Sequence, residues 1–594
     1  MSNPSIGDLA FLSDCHTAAL VDRDACVQWW CPPRFDSGSV FGRLLGPDAG
    51  HWSLQPTAPY ESGRRYDEGT LVLRTTFTTD AGRVDVLDAL ALAPGARGHE
   101  IGRSSPQVLL RRIEGVHGEV ELETVFAPRM EYGLTVPHTA PVDGGMEARG
   151  GPVRLGLRAP FELETEVGGA RGRVTVSAGE RVELAARFTE ARADAAEPPG
   201  VTLDDTAEGW RSWSALHQSY RGEHAEAVRR SALVIQGLTF QPTGSVVAAA
   251  TTSLPEKLGG ELNFDYRFAW LRDLSLTVRA LWISTCAEEA ERLFGWIADA
   301  AGHLGDQPVQ IVYRVEGERV MAEQELDHLP GFRDSAPVRV GNGAWNQTQL
   351  DVYGEVVDAA FQLRESLELD PPMRGMIIGL ADRAAAEWTR PDSGLWEARD
   401  KERHYLSSKV LCWVAVDRAV KLAAWLEAED RVDEWSRACE DIRAAVLERG
   451  WSEKRGAYAG AFDSDQLDAS VLALPLVGFL DAADARMWAT LEIVERELGD
   501  TGQVSRWAAD PYGFVICSFW LVECLALGGE TGRAEKWFAR ASGTANDLGL
   551  MAEEFDPERG ELLGNFPQAF SHVGLINAAQ RLTQSARARG AASP

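Results

Sequence analysis

The sequence predicts a large antiparallel β-sandwich followed by an α/α barrel, and three observations carry that prediction. Over residues 1–200 apolar and polar positions alternate with period two, and turn signals recur at the roughly 8–12-residue spacing of sandwich folds. Beyond residue 215 the period becomes helical, and segments apolar nearly all round are followed by segments with a single apolar face. Between the two regimes lies a charged stretch, ADAAEPPGVTLDDTAEGWRSWSAL, around residues 195–215.

In chain order, the opening FLSDCHTAALVDRDACVQWWCPPRFDSGSVFG holds short strands, a Trp29–Trp30 pair and a PPRFDS loop. That loop is expected to reach towards a functional site, because Trp29, Arg34 and Asp36 are unusual residues for a plain connection. GTLVLRTTFTTDAGRVDVLDAL reads as two strands around an AGR turn, and PQVLLRRIEGVHGEVELETVFAP as two more around HGE. VRLGLRAPFELETEVGGARGRVTVSAGERVELAARF adds several further strands. The helical part contains twelve candidate helices, at 223–238, 273–285, 286–302, 346–366, 372–389, 408–428, 431–449, 467–479, 483–498, 512–528, 530–543 and 568–585. A buried helix paired with an amphipathic one, about six times over, describes an inner ring wrapped by an outer ring. Functional loops are then expected at one end.

Bulk properties narrow the function. With 594 residues, the chain exceeds one ordinary core, so two or more domains are expected. A formal charge of −30 excludes a phosphate-backbone partner and disfavours an anionic membrane surface. No apolar run approaches the length of a bilayer span, and the N-terminus lacks the basic and apolar regions of a secretory signal. The expected location is cytoplasmic. The eight cysteines form no CxxC pair and no zinc-spaced cluster, so neither structural zinc nor a disulfide framework is expected. Homo-oligomerisation stays open.

Chemistry-bearing residues cluster in the long connections between helices, where function concentrates. The first connection, residues 251–281, places Arg272 and Asp273 at a helix start, flanked by Phe264, Tyr266, Phe268 and Trp270. Rings beside fixed donors and acceptors suit a sugar, although Arg-Asp at a helix start is also an ordinary cap. The second, residues 325–353, combines Arg339, a Gly341-Asn342-Gly343 turn, Trp345 and Asp351. The third, residues 390–413, sets Glu397 directly after Leu395 and Trp396. A carboxyl beside an indole and just before a buried helix is expected to be partly desolvated, the condition for holding a proton near neutral pH. It could equally be a surface glutamate paired with Arg399 or Lys401. The fourth, residues 502–520, carries Arg506 and Trp507. The last, residues 551–579, opens on Glu553 and Glu554. Read alone, these two serve the dipole of the helix that follows. Read with Glu397, one of them completes an acid/base pair.

The motifs TTSLPEKLGGELNFDYRFAWLRD, GLWEARDKERHYLSSKVLCWVAVDRA, the LDAS of residues 467–470 and MAEEFDPERGELLGNFPQAFSH resemble those of the bacterial and archaeal branch of glycoside hydrolase family 15. This is the glucoamylase-like family, which includes trehalases and isomaltose-hydrolysing enzymes. IGDLAFLSDCHTAALV and PPRFDSGSVFG resemble its N-terminus, so the resemblance covers essentially the whole chain. It implies a β-supersandwich over residues 1–204, a helical linker over 205–225 and an (α/α)6 catalytic barrel over 226–590. The implied reaction is inverting exo-hydrolysis of a short soluble α-glucoside, with release of β-glucose. Trehalose, isomaltose-type oligomers and maltooligosaccharides all remain open as substrates.

Carried over position by position, Glu397 matches the general acid and Glu553 the general base. Arg272 and Asp273 match the pair that grips the non-reducing glucose, and Arg506 and Arg339 match pocket-loop arginines. Tyr266, Trp270, Trp345, Trp396 and Glu554 complete the expected binding set. The chemistry of inversion agrees: one protonated carboxyl and one carboxylate flank the sugar roughly 6.5–9.5 Å apart, and neither step requires a metal or cofactor. Departures from the family pattern are Ala398 after the acid, Ala336 before Pro337, a short loop after Arg506, and Trp345, whose ring is expected to narrow the leaving-group side. Two rival readings are a phosphorylase, which needs a phosphate pocket in place of the base, and an inactive glycan-binding protein, which needs neither carboxyl.

Overall fold

The computed structural model describes residues 4–192, 200–216, 218–284, 287–302 and 309–592. Among these, fourteen antiparallel strands form one hydrogen-bonded network in the N-terminal region. Its organising element is a 20-residue strand, Val108–Ala127. This corrects the hairpin expected at HGE. The strand passes straight through that sequence and changes partners there. Its first half pairs with Gly82–Leu90 and Arg181–Glu190, and its second half with His51–Pro56 and Gly169–Ser177. One strand thus belongs to both layers and turns the corner between them. Two glycines permit it. A Cβ on Gly115 would lie 2.0 Å from the Ser177 carbonyl oxygen, and Gly118 takes φ +64 with the Ala81 oxygen 2.1 Å from where its Cβ would be. Glycine reads as a turn in sequence, but here it serves close backbone approach.

Helix α1, Leu203–Leu216, follows the sheets and buries Trp210 and Trp213. Asp204 and Asp205 in its first turn complement the helix dipole and pair with Arg112 and Arg97. Twelve further helices are described: α2 (Ala225–Leu238), α3 (Leu271–Ser284), α4 (Ala287–Ala301), α5 (Asp351–Leu363), α6 (Pro371–Glu387), α7 (Leu406–Leu426), α8 (Val432–Arg449), α9 (Ala473–Leu476), α10 (Ala485–Glu497), α11 (Val515–Leu527), α12 (Thr531–Ser542) and α13 (Ala569–Ala592). Helices α3, α5, α7, α9, α11 and α13 each pack on the next, and α13 returns to α3, closing an inner ring. The even-numbered helices pack outside it. The division follows the sequence: α11 is buried almost throughout, whereas α12 buries one stripe and exposes the rest. Where α5 crosses α7, Gly354 abuts the Leu411 carbonyl so closely that a Cβ would lie 2.0 Å from it.

Two helix expectations shift. The segment 467–479 forms a 3-10 turn, Ala469–Leu472, and a helix of four residues. Gly478 at φ +73 then ends it. The segment 346–366 becomes helical only at Asp351, because Asn342 caps a separate 3-10 turn at Gly343–Asn346. Position 286, a cysteine and the first residue of one expected helix, lies outside the described residues. The seven described cysteines are all unpaired with one another.

The sandwich braces the barrel. The Trp29 indole donates to the Ala250 carbonyl at 3.0 Å. The Arg267 guanidinium lies over Trp29 and Tyr132, donates to the Ser37 carbonyl and pairs with Asp265. The PPRFDS loop also docks: buried Asp36 accepts from Arg34 and from Arg314 of the barrel, at 2.9 and 2.7 Å. Contrary to expectation, no residue of this loop lines the cavity described next. Its effect is to fix the 265–270 segment from behind.

Candidate active site

The connections that precede α3, α5, α7, α11 and α13 meet at one end of the inner ring, around a cavity of about 260 Å³. Arg272, Asp273 and Gln568 stand at or just before a helix N-terminus, whereas Glu397, Arg506 and Glu553 are carried by the loops themselves. Arg272 and Asp273 occupy the first turn of α3, and both are buried. The Arg272 guanidinium is tied to Gln349 at 2.9 Å, Asp351 at 3.5 Å and Glu397 at 3.0 Å. Among the described residues no side chain hydrogen-bonds the Asp273 carboxyl. Burial raises its pKa to about 7, against the pull of Arg272. A buried carboxyl on a cavity wall with no side-chain donor, bonded only by its own backbone N–H, is an acceptor with room for a ligand donor.

Glu397 occupies a sharp turn after Gly394. Its own backbone has φ +57, a left-handed conformation unusual for glutamate. Its Oε1 accepts from the Trp270 indole at 2.7 Å and from Arg272 at 3.0 Å. The indole that contacts the carboxyl is therefore Trp270, not the sequence neighbour Trp396. Trp396 donates instead to Asp468 at 2.9 Å and packs against Phe514 and Trp520 as cavity wall.

Glu553 faces the same cavity and is 3% exposed. Its Oε1 accepts from the Tyr266 hydroxyl at 2.9 Å and from Gln568 at 3.1 Å. The two carboxyls are thus held alike: an aromatic donor and a second donor converge on one oxygen of each. Burial, reinforced by Glu256, pushes the Glu553 pKa well above the ordinary carboxyl range, while Arg506 and the Tyr266 hydrogen bond oppose it. Gly564 lies against Glu553, and at φ +80 a Cβ there would stand 2.8 Å from that of the glutamate. Tyr266, by the same logic, keeps its proton: burial and then the Glu553 charge raise its pKa.

Glu554 points the other way, as alternation along its short strand requires. It pairs with Arg506 at 2.8 Å and does not line the cavity. Arg506 does line it, and this one buried guanidinium also serves Glu256 at 2.6 Å and Asp510 at 2.8 Å. Besides Glu554, two more expected residues stay outside. Arg339 bonds the Glu261 carbonyl and Glu325, with its guanidinium 5.3 Å from the Phe264 ring centre. Trp345 packs on the core from the Gly343–Asn346 turn. The cap by Asn342 turns the chain there, so that Asn342, and not the tryptophan, reaches the cavity, and the Trp345 ring does not narrow it. Sequence reasoning also passed over Gln568, Glu256 and Arg399, all of which line the cavity. Gln568 had a signal, as a polar residue at the start of an otherwise buried helix. Glu256 and Arg399 had none beyond membership of a long loop.

The sequence matches the profile of Glycosyl hydrolases family 15 over residues 222–580 and that of the Trehalase-like, N-terminal domain over residues 1–207. It is 38% identical to a trehalase of Mycolicibacterium smegmatis, over 97% of this chain and 91% of that one. To a trehalase of Thermoplasma volcanium it is 30% identical, over 98% and 94% of the respective chains. The fold is similar to that of a bacterial glucoamylase complexed with acarbose, with a TM-score of 0.72 at 11% identity, covering 98% of this chain and 94% of that one. Among the described residues no helix is long and apolar enough to cross a membrane.

Proposed function

The chain belongs to glycosyl hydrolase family 15, and on that premise we propose that it hydrolyses trehalose with inversion, with Glu397 as general acid and Glu553 as general base. The enzyme is an α-glucoside hydrolase; the choice of trehalose follows from the trehalases among its relatives, which match it along nearly their whole length. The observation that most supports these two as the reacting pair is the matched clamping of the carboxyls in one cavity, and the division into acid and base follows the family resemblance. Donors fill Oε1 of each, which leaves the second oxygen for proton transfer.

In this reading Asp273 and Arg272 hold the non-reducing glucose at the buried end of the cavity. Glu397 gives its proton to the glycosidic oxygen as the bond to C1 breaks. A water on the opposite face attacks C1 and loses a proton to Glu553, producing β-glucose and a second glucose. A base whose pKa lies above the ordinary carboxylate range is the stronger proton acceptor. We assign the chemistry to residues 226–590, with 1–204 as the bracing domain and 205–225 as the linker.

The test is turnover of trehalose, isomaltose, maltose, kojibiose and nigerose, with proton NMR of the anomer released first. Trehalose is expected to be the best substrate, with α- and β-glucose released in equal amounts because only the attacked carbon inverts while the leaving glucose keeps its α configuration, and added phosphate is expected to be without effect. Early release of α-glucose without β-glucose would refute inversion. A strict need for phosphate, with glucose 1-phosphate as product, would replace hydrolysis by phosphorolysis.

A further inference from the structure

Exposure grades the cavity from floor to mouth. Arg272, Asp273 and Glu553 are 7%, 6% and 3% exposed, whereas Leu262 is 50% exposed and the Arg399 side chain 41%. In an exo-acting pocket the glucose to be released from the chain end occupies the floor, so the leaving sugar must lie against the mouth.

At the mouth stands a plate that neither the general acid nor the base touches. Arg399 donates from both terminal nitrogens to Glu323, at 2.9 and 2.8 Å, a fork that fixes the plane of the guanidinium. That plane lies over Phe264, 4.2 Å from the ring centre. Glu323 in turn accepts from the Gly343 backbone at 3.0 Å. Its own burial works to raise its pKa, but the bonds from Arg399 and Gly343 outweigh that and hold the carboxyl below its usual range. Phe264 is secured through its carbonyl, which accepts from Asn565 at 2.8 Å. Four separate loops therefore meet in one rigid plate.

The donor count shows what the plate is for. Two of the five guanidinium N–H groups go to Glu323, and among the described residues no other group takes the remaining three. The other two cavity arginines lie deeper: Arg506 is committed to Glu256, Asp510 and Glu554, and Arg272, tied to Gln349, Asp351 and Glu397, keeps its unpartnered Nε–H at the floor. Ala398 beside Arg399 presents only a methyl to the cavity and leaves room above it.

We propose that Arg399, oriented by Glu323 and backed by Phe264, is the specificity-determining residue for the leaving sugar, donating to its adjacent hydroxyls at the cavity mouth. Arg399 is a binding residue in this proposal and Glu323 a positioning residue. Because the plate is held before substrate arrives, little ordering is lost when a hydroxyl pair meets it. The proposal rests on the hydrolase reading above and extends it to the side of the bond that this reading leaves undescribed.

The test compares two substrates that share the non-reducing glucose but differ in the leaving group. One is trehalose, or whichever of the five disaccharides the wild-type enzyme turns over fastest. The other is α-glucosyl fluoride, whose leaving group is a single fluoride with no hydroxyls to grip. For Arg399→Ala, the ratio of kcat/KM on the disaccharide to kcat/KM on the fluoride is expected to fall about 10- to 100-fold, as for loss of hydrogen bonds to a charged group. Most of that fall should appear in KM. Glu323→Gln should shift the ratio in the same direction by less, because the arginine remains but loses its anchor. Arg399→Lys, which keeps the ion pair but not the fork, should fall between wild type and alanine and carries the test if the alanine variant is unstable. A ratio unchanged within about threefold in Arg399→Ala and Arg399→Lys, whether both activities fall together or neither does, overturns the proposal. A wild-type enzyme inactive on every disaccharide would overturn the hydrolase reading itself, a different and separable result.

Discussion

Tyr266 and Trp270 meet edge to face with ring centres 5.7 Å apart, and each holds a different carboxyl of the site. The tyrosine hydroxyl reaches Glu553 and the indole N–H reaches Glu397. One short segment, braced from behind by Arg267 and the sandwich, therefore sets the spacing of both reacting groups. Positioning of this kind matters most in a reaction that depends on a water fitted between two carboxyls.

Replacing Tyr266 by phenylalanine removes one donor to Glu553 and leaves the ring in place. We expect kcat to fall about 10- to 100-fold. The Tyr266 bond favours the ionised glutamate, so its loss should move the acid limb of the kcat/KM profile to higher pH. A variant with an unshifted acid limb would mean that the hydroxyl does not act on the base.

Glu553 and Glu554 are neighbours in sequence with opposite surroundings, one facing the cavity and the other paired with Arg506. Glu553→Gln should lose about 10³-fold or more in kcat, within the range of lost general base catalysis. Glu554→Gln should lose about 10-fold, acting only through the arginine. Steady-state kinetics on one substrate decides between them, and equal losses would contradict the assignment.

Asp273 carries a pKa of about 7 because it is buried, opposed by Arg272 and reinforced by Glu397. Between the ordinary aspartate value near 4 and about 7, the folded state keeps a proton that the unfolded state has released. Stability from this group is thus complete below about pH 4 and lost as pH rises through 7. Thermal melts from pH 5 to 7.5 should show wild-type stability falling and Asp273→Asn falling less steeply. The difference should approach about 1.4 kcal/mol per pH unit at most. Parallel curves would contradict the argument.

Asp36 binds Arg34 and, across the domain boundary, Arg314. Its replacement by alanine leaves two guanidinium groups short of a partner in a partly buried place, at a cost of about 1–3 kcal/mol. We expect a lower Tm by differential scanning calorimetry, with kcat/KM at 25 °C within about twofold of wild type. A large loss of activity without a change in Tm would return the PPRFDS loop to the active site.

The sequence by itself determined the layers of this protein. Period-two alternation, then helical periodicity, then buried and amphipathic helices in turn are properties of single segments, and each segment carries its own record of what it buries. It also brought forward Glu397, Arg272, Asp273 and the Glu553–Glu554 pair, because loops rich in acids, rings and arginines between buried helices are visible without folding the chain, while the choice of Glu553 over Glu554 came from the family resemblance. Only the tertiary structure decided which of these groups share a wall. It put Trp270 rather than Trp396 on Glu397, turned Trp345 and Arg339 out of the cavity, and brought in Gln568, Glu256 and Arg399. It also ran one strand through the HGE sequence where a turn was expected. The physical reason is common to all of these. A residue's neighbours in a barrel are set by which helices adjoin in the ring and by where a cap or a glycine turns the chain, and both are contacts between segments far apart in sequence.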